Sequence, residues 1–193
     1  MFPARRLPNL LLGYHGTSEA IVEQVLRGGS LKPEQRPYHW LGQGIYFWQD
    51  DPLHAAQWAR EQAGRGLYQI PSVIGAVISP GNTLRLGDYG TRDELRAAHA
   101  TLTAQLQALN TPLPANRRLR DNIPLLRDLD CAVIDMVHTL REVSGAEPFD
   151  TVIGSFEDGA PLYQGAGFTE KTHTQIAVRN PAAILGYFRV PGL

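Results

Sequence analysis

The spacing of apolar residues along the chain indicates four helices, at residues 19–26, 53–62, 93–107 and 125–143. Two of these helices also carry start signals. Ser18 is a suitable N-cap residue for the first, and Pro52, which follows two aspartates, is typical of a first helical turn. Gly28 and Gly29 end the first helix. The middle of the chain is therefore predicted to be mainly helical.

Short apolar runs indicate strands, at residues 73–78, 149–154, 174–178 and 184–190. A Ser-Pro-Gly-Asn turn follows the first of these runs, and Pro112 and Pro114 make residues 110–122 an irregular connection. The strands lie on both sides of the helical middle. We therefore predict one domain over residues 1–193, of mixed α/β (α+β) class, with an all-helical insertion at about residues 88–148.

Composition agrees with a single globular domain. The chain has 193 residues, 43% of them hydrophobic and 19% charged, and no apolar run is long enough to span a bilayer, so no membrane partner is expected. Arg5 and Arg6 precede a short apolar stretch that Pro8 interrupts, and we interpret this start as a leader into a first strand. The single cysteine, Cys131, excludes an intramolecular disulfide and a multi-cysteine metal site. The expected compartment is the reducing cytoplasm.

The net charge of −1 provides no global field that would concentrate the protein on nucleic acid. A local patch is still conceivable, because four arginines cluster around a single aspartate, Asp121, at Arg117, Arg118, Arg120 and Arg127. Such a cluster can contact phosphates, or it can be a solvated helix face or loop. Both interpretations stay open at the level of sequence.

Two glycine-containing motifs carry the candidate chemistry. Residues 13–17 are Gly-Tyr-His-Gly-Thr, and residues 41–47 are Leu-Gly-Gln-Gly-Ile-Tyr-Phe. Glycine lets the backbone approach a flat ligand and offer it N–H and C=O groups, while the imidazole and aromatic rings can bind or stack. Alternatively, the first motif is only a strand that runs into a turn, and the second is only a flexible hairpin. Together they suggest a pocket for a dinucleotide.

The order and spacing of these motifs resemble the ADP-ribosyltransferase superfamily, in its poly-ADP-ribose-polymerase-like (diphtheria-toxin-like) branch with a His-Tyr-Glu triad. The matching elements are His-Gly-Thr at residues 15–17, Gly-x-Gly-Ile-Tyr-Phe at 42–47 and a small-residue helix that ends in Trp58. The late strand that carries the family glutamate corresponds best to residues 172–181. In this chain Gln175 stands where that glutamate would be.

The resemblance implies a split, mostly antiparallel β-sheet core and NAD as the co-substrate. It implies catalytic roles for His15, which would bind the adenosine ribose, for Tyr46, which would stack on nicotinamide, and for Gln175. It also implies cofactor-binding roles. Gly16 would hold the carboxamide through its main chain, Trp58 would close the other face of the ring, and Thr17 and Gly44 would add contacts to the same ligand.

Gln175 limits how far the resemblance extends. A glutamine can bind the ribose 2′-hydroxyl but cannot place negative charge near the developing cation, which typically costs roughly two to three orders of magnitude in rate. Mono-ADP-ribosylation is therefore expected rather than chain elongation. Another group could supply the missing base, either His173 two residues before Gln175 or one of the loop carboxylates Glu157, Asp158 and Glu170, each of which is otherwise an ordinary strand or loop residue.

The function expected from these residues is mono-ADP-ribosyl transfer from NAD to a macromolecular acceptor, protein or nucleic acid (RNA or DNA). By analogy with compact family members, the expected setting is a small bacterial toxin or defence enzyme, in which an antitoxin protein would be a partner. Three alternatives stay open: a non-catalytic module that binds NAD or ADP-ribose, an NAD glycohydrolase, and an RNA 2′-phosphotransferase. The last normally needs several basic residues, and Arg179 is the only one close after Gln175.

Overall fold

A computed structural model describes residues 9–33, 35–120 and 123–192. This part of the chain forms nine strands and four α-helices. In chain order they are β1 (Leu11–Ser18), α1 (Glu19–Leu26), β2 (Ile45–Gln49), α2 (Pro52–Gly64), β3 (Pro71–Ile78), β4 (Thr83–Arg85), α3 (Thr91–Ala108), β5 (Arg117–Arg120), β6 (Ile123–Leu126), α4 (Asp128–Val143), β7 (Thr151–Phe156), β8 (His173–Val178) and β9 (Ile184–Arg189). The mixed α/β class is confirmed.

Seven of the strands form one sheet in the order β4-β7-β8-β2-β1-β3-β9. Neighbouring strands run antiparallel, except that β4 and β7 are parallel. A parallel pair needs a long crossover, and here the crossover contains α3, a two-stranded β5–β6 hairpin and α4. The sheet is thus mostly antiparallel, and a helix-rich connection joins β4 to β7.

Helices cover both faces of the sheet. Val22 and Val25 of α1 pack on one face with Phe47, whereas Ala55 and Ala56 of α2 pack on the other face with Trp48. Phe47 and Trp48 are consecutive in β2, and alternation along a strand sends them to opposite faces. On the α2 face, residues of α4 extend the core beyond α2. The region around β2 is therefore enclosed by three helices, which position the candidate site.

The predicted helices are confirmed, since α1 occupies residues 19–26 and α2 and α3 extend one to two residues beyond the predicted bounds. The prediction of an all-helical insertion is wrong. Residues 117–126 contain the β5–β6 hairpin, so α4 begins at Asp128 rather than at residue 125, and the short strand β4 was not predicted. Strand β4 is only three residues long and is held by pairing with β7, whereas β5 and β6 pair with each other.

Part of the predicted arginine cluster can be placed. Arg117 contacts Asp128 at 3.1 Å and Arg127 contacts Asp130 at 3.0 Å, so both have carboxylate partners. The side chains of Arg118 and Arg120, together with Asp121 and the leader at residues 1–8, lie outside the described residues. Within the described ranges, no helix is both long enough and apolar enough to cross a membrane.

Candidate functional site

The sheet opens between β1 and β2. Strand β1 pairs with β3 along its whole length, but with β2 only through Gly13–Gln49 and Tyr14–Trp48. Strand β2 instead pairs with β8 from Ile45 to Trp48. The two halves of the sheet therefore part after Tyr14, and the first predicted motif, with His15 and Gly16, lies at this split.

His15 links the two halves across the split. Its Nδ1 lies 2.7 Å from the main-chain carbonyl oxygen of Tyr46, and its ring lies 5.9 Å from that of Phe47. Because a carbonyl can only accept, Nδ1 must carry the proton, which makes Nε2 of the neutral ring an acceptor. His15 is thus held in one tautomer, in which Nε2 is the acceptor nitrogen.

Gly16 is required by the packing of α2. A Cβ atom at this position would lie 2.2 Å from the carbonyl oxygen of Ala55, which is buried in α2. A side chain at such a distance would force α2 to move. On this face of β1, helix α2 therefore occupies the space next to Gly16 in which a ligand was expected.

Residues 42–44 form a tightly packed loop before β2, here called the glycine loop, rather than a β-hairpin, because the described residues between α1 and β2 contain no strand. Gly42 has φ +74°, a left-handed conformation that favours glycine, and its added Cβ would lie 2.9 Å from the Ile134 side chain of α4. At Gly44 an added Cβ would lie 2.9 Å from the carbonyl oxygen of Val178. Both glycines are thus needed by the fold, whether or not a ligand approaches them.

Tyr46 fixes the glycine loop through its hydroxyl. Its hydroxyl donates to the carbonyl of Gly42 at 2.5 Å and accepts from the N–H of Leu41 at 2.9 Å. Burial raises the pKa of the Tyr46 hydroxyl far above its usual value, so the group is neutral. The ring lies 4.9 Å from that of His39. Tyr46 therefore acts in the structure as a neutral tie between β2 and the loop before it.

Arg179 and Asp135 also stabilise the glycine loop, a role that the sequence did not indicate. Arg179 donates to the carbonyl of Gln43 at 3.2 Å and lies 3.6 Å from Asp135 of α4. Burial raises the pKa of Asp135 and lowers that of Arg179, while the opposite charge of each partner counteracts both shifts. These contacts join residues more than 40 positions apart along the chain, so no local pattern could have indicated them.

Gln175 lies on the α2 face of the sheet. It is directly opposite Trp48 in the β2–β8 ladder and opposite Gly154 in the β7–β8 ladder, and opposed residues point to the same face. Trp58 of α2 is 40% exposed, and its ring lies 5.9 Å from that of Trp48. Gln175 and Trp58 therefore lie on the same side of the sheet. Trp48 is the cross-strand partner of Gln175, and its ring contacts that of Trp58.

The predicted residues do not all share this face. Tyr46 pairs with Ala177 and lies on the same face as Gln175 and Gly16. Alternation along β1 places His15 and Thr17 on the opposite face, where the ring of His15 lies near that of Phe47. Thr17 is only 4% exposed. The candidate site is thus the α2 face of the split sheet, and His15 reaches it only at the split.

A cluster of rings that sequence reasoning did not assemble adjoins Gln175. The ring of His173 lies 5.8 Å from Trp40 and 4.7 Å from His54, and His54 stacks on Trp48 at 5.4 Å. His173 donates through Nδ1 to the carbonyl of Lys171. Its Nε2 and the Trp48 indole N–H are buried without a hydrogen-bond partner among the described residues. The spacing of His173 and Gln175 predicted their shared face, but the contact with His54 depends on how α2 packs.

The three loop carboxylates lie between β7 and β8. Glu157 and Glu170 are exposed, and Asp158 accepts from the N–H of Gly159 at 2.9 Å, which stabilises the loop. Lys171 of this loop contacts Glu61 of α2 at 3.1 Å. The loop is thus anchored beside α2, on the side of the sheet that carries the ring cluster. In the described ranges, no group of three or more histidine, cysteine, aspartate or glutamate side chains could hold a metal ion.

These features define a mixed α/β protein with a split, mostly antiparallel sheet and a ring-rich face beside the split. No family model matches the chain. The chain is similar to the uncharacterized protein MJ0359 of Methanocaldococcus jannaschii, with 40% identity over an alignment of 191 residues; the match covers 89% of this chain and 83% of that protein. The chain therefore belongs to the same family as this archaeal protein.

Proposed function

We propose that the protein is an NAD-dependent mono-ADP-ribosyltransferase that modifies a macromolecule, built on the split-sheet fold of the ADP-ribosyltransferase superfamily. One observation carries the proposal. The sheet parts at His15, whose Nδ1 hydrogen-bonds the main chain of Tyr46, and Gln175 lies on the strand next to β2. The three residues that match the family triad thus lie on three strands that are consecutive in the sheet.

The site residues have complementary roles in this proposal. His15 accepts a hydrogen bond from a ribose hydroxyl at Nε2, because its Nδ1 proton is held by the Tyr46 carbonyl. The main chain of Gly16, at the edge of β1 beyond its pairing with β2, binds the carboxamide. The rings of Tyr46 and Trp58 hold nicotinamide, and aromatic contacts of this kind contribute on the order of 1 kcal/mol beyond area burial.

The chemistry that the site must perform is cleavage of the bond between nicotinamide and ribose. This bond breaks through a cation-like transition state, so positioning of the dinucleotide and stabilisation of positive charge accelerate it. The amide oxygen of Gln175 accepts a hydrogen bond from the ribose 2′-hydroxyl and directs a dipole at the cation, but it carries no net charge. We therefore expect slow turnover and an acceptor that is itself a good nucleophile.

The neutral Gln175 also favours a second candidate, a non-catalytic module that binds NAD or ADP-ribose. The two candidates differ in a single measurement, the release of free nicotinamide from NAD by the purified protein, with and without protein and RNA from a cell extract. Transfer predicts release that increases with one kind of acceptor. An NAD glycohydrolase predicts release that is independent of either.

Two variants make this assay specific. His15→Ala should abolish release, whereas Tyr89→Ala, at an 81% exposed tyrosine before α3, should leave it unchanged. NAD binding without release in the wild-type protein would identify the binding module. Absence of both binding and release would overturn the assignment of the site to NAD.

A further inference from the structure

The loop between β7 and β8, residues 157–172, has two arms that pair with each other. Pro161 and Thr169 form an antiparallel bridge. Beyond this bridge, towards the tip of the loop, the N–H of Leu162 donates to the carbonyl of Phe168 at 3.0 Å. The main chain therefore sets the shape of the loop before any partner binds, which lowers the entropic cost of binding.

The tip of this loop exposes large apolar side chains. Leu162, Tyr163 and Phe168 are 58%, 62% and 65% exposed. Leu162 follows one bridge residue and Phe168 precedes the other, so the two lie opposite each other and their side chains point to the same face. A single exposed apolar residue is ordinary, but three within seven positions form a patch of the kind that marks an interaction surface.

The loop around this patch is acidic. Its four charged residues are three carboxylates and one cation, at Glu157, Asp158, Glu170 and Lys171. Lys171 is already paired with Glu61 of α2. Glu157 and Glu170 are exposed and have no ion-pair partner within the described ranges, and alternation places Glu170 on the same face as Phe168. Such a surface repels the phosphates of nucleic acids and of anionic lipids, and it attracts the lysines and arginines of a protein.

The loop also borders the candidate site. It leads into β8 at His173, two residues before Gln175. Lys171 contacts Glu61 at 3.1 Å, and Glu61 lies about one turn after Trp58 on α2. A protein segment held on this loop therefore lies beside the residues proposed for NAD.

We propose that the β7–β8 loop is a docking surface for a segment of a partner protein in which apolar side chains lie among lysines or arginines. The apolar side chains pack on Leu162 and Phe168, and the cations pair with Glu157 and Glu170. Docking is independent of catalysis. The docked protein is also the acceptor, a step that rests on the proposed function, so the transferase modifies protein rather than RNA or DNA.

The test measures binding of fluorescein-labelled dodecapeptides by anisotropy, in the absence of NAD. A peptide of alternating leucine and lysine should bind, whereas peptides of leucine and glutamate, or of serine and lysine, should bind about tenfold more weakly. Leu162→Ser should weaken binding of the leucine-lysine peptide about tenfold, as the loss of an anchoring side chain does. Leu185→Ser is the matched control, because Leu185 is 59% exposed on β9, at the other end of the sheet from β7 and β8.

The charge of the loop has its own variant. Glu170→Lys should abolish the preference for the leucine-lysine peptide over the leucine-glutamate peptide, because it reverses the charge beside the apolar pair. Glu142→Lys, an exposed change in α4, controls for the altered net charge and should keep the preference.

The docking proposal is overturned if the leucine-lysine peptide does not bind at millimolar concentration, or if Leu185→Ser weakens binding as much as Leu162→Ser. Equal binding of the serine-lysine peptide, or displacement of the peptide by single-stranded RNA or DNA, would also overturn it. The two proposals fail separately. Peptide binding that depends on Leu162, in a protein that releases no nicotinamide from NAD, would support docking and overturn the transferase. Nicotinamide release that increases with RNA alone would support the transferase and overturn the protein acceptor.

Discussion

The Nδ1 atom of His15 lies 2.7 Å from the carbonyl oxygen of Tyr46, and this hydrogen bond crosses the point at which β1 and β2 part. It joins two halves of the sheet that the backbone ladder connects through two residue pairs. The same bond fixes the tautomer of the imidazole. One contact thus has a structural consequence and a chemical one, and the two can be measured separately.

Replacing His15 with alanine should therefore lower the free energy of unfolding by about 1 kcal/mol, the usual contribution of one hydrogen bond. If the site cleaves NAD, nicotinamide release should fall on the order of a hundredfold, since a positioning group for the ribose is lost. Urea denaturation and chromatographic detection of nicotinamide give the two values. Full turnover in this variant would exclude His15 from the chemistry.

Gly16→Ala should destabilise the fold, because the added Cβ would lie 2.2 Å from the Ala55 carbonyl oxygen and α2 would have to move. Overpacking of this kind costs roughly 1–3 kcal/mol in the free energy of unfolding. Gly64→Ala is the control. Gly64 ends the same helix with nothing within 4 Å of an added Cβ, so this change should be neutral or slightly stabilising. Equal stabilities of the two variants in urea would contradict the packing argument.

Tyr46→Phe removes the hydroxyl that bonds Leu41 and Gly42 and leaves the N–H of Leu41 without that acceptor. We expect the free energy of unfolding to fall by roughly 1–3 kcal/mol. Tyr89→Phe keeps the ring under Arg92 and should change stability little. Hydrogen exchange at the Leu41 amide provides a local readout. Unchanged protection of this amide would show that the Tyr46 hydroxyl does not fix the glycine loop.

If the site cleaves NAD as proposed, Gln175→Glu should increase nicotinamide release, because it places a negative charge beside the developing cation. A gain of ten- to a hundredfold would correspond to about 1.4–3 kcal/mol of transition-state stabilisation. Gln107→Glu, an exposed change in α3, controls for the altered net charge. A gain that appears in both variants, or in neither, would argue against the placement of Gln175 at the ribose.

His138 should make the protein sensitive to acid. Burial, reinforced by the positive charges of Arg179 and Arg141, lowers the pKa of His138 to about 3. The unfolded value is near 6.5, so its contribution to stability is complete above about pH 6.5 and is lost as the pH falls towards 3. Between pH 6.5 and 5 the free energy of unfolding should fall by roughly 1–2 kcal/mol more in the wild-type protein than in His138→Gln. His99→Gln, at an exposed position of α3, should retain the wild-type response.

Local signals in the sequence were enough to predict the helices. The apolar spacing of residues 19–26 matches α1, and α2 begins at Pro52 as the start signal indicated, with Asp51 accepting from the N–H of His54 at 2.9 Å. Capping and helical spacing operate within a few residues, so they can be read without knowledge of the fold. Ser18 occupies the predicted N-cap position of α1, but its side chain forms no capping hydrogen bond.

Of the missed strands, β4 depends on a distant partner, whereas β5 and β6 are each other's partners. Strand β4 has three residues, and it is extended because Thr83 to Arg85 pair with Thr151 to Ile153 of β7. In the β5–β6 pair, Pro124 lies opposite Arg118 at an irregular register, and proline is uncommon inside a strand. Pairing over a long sequence separation leaves no local pattern at β4, whereas β5 and β6 pair with each other where an irregular connection and the start of a helix were predicted.

The sequence by itself determined which chemical groups the candidate site contains, since the motifs at residues 15–17 and 42–47 and the position of Gln175 are visible without coordinates. Only the tertiary structure decided how these groups are arranged. In the folded protein α2 packs against Gly16, Tyr46 hydrogen-bonds to the glycine loop, and Thr17 is buried. The reason is physical: residue types follow from the chain alone, whereas burial, facing direction and tautomer depend on neighbours that folding brings from distant positions.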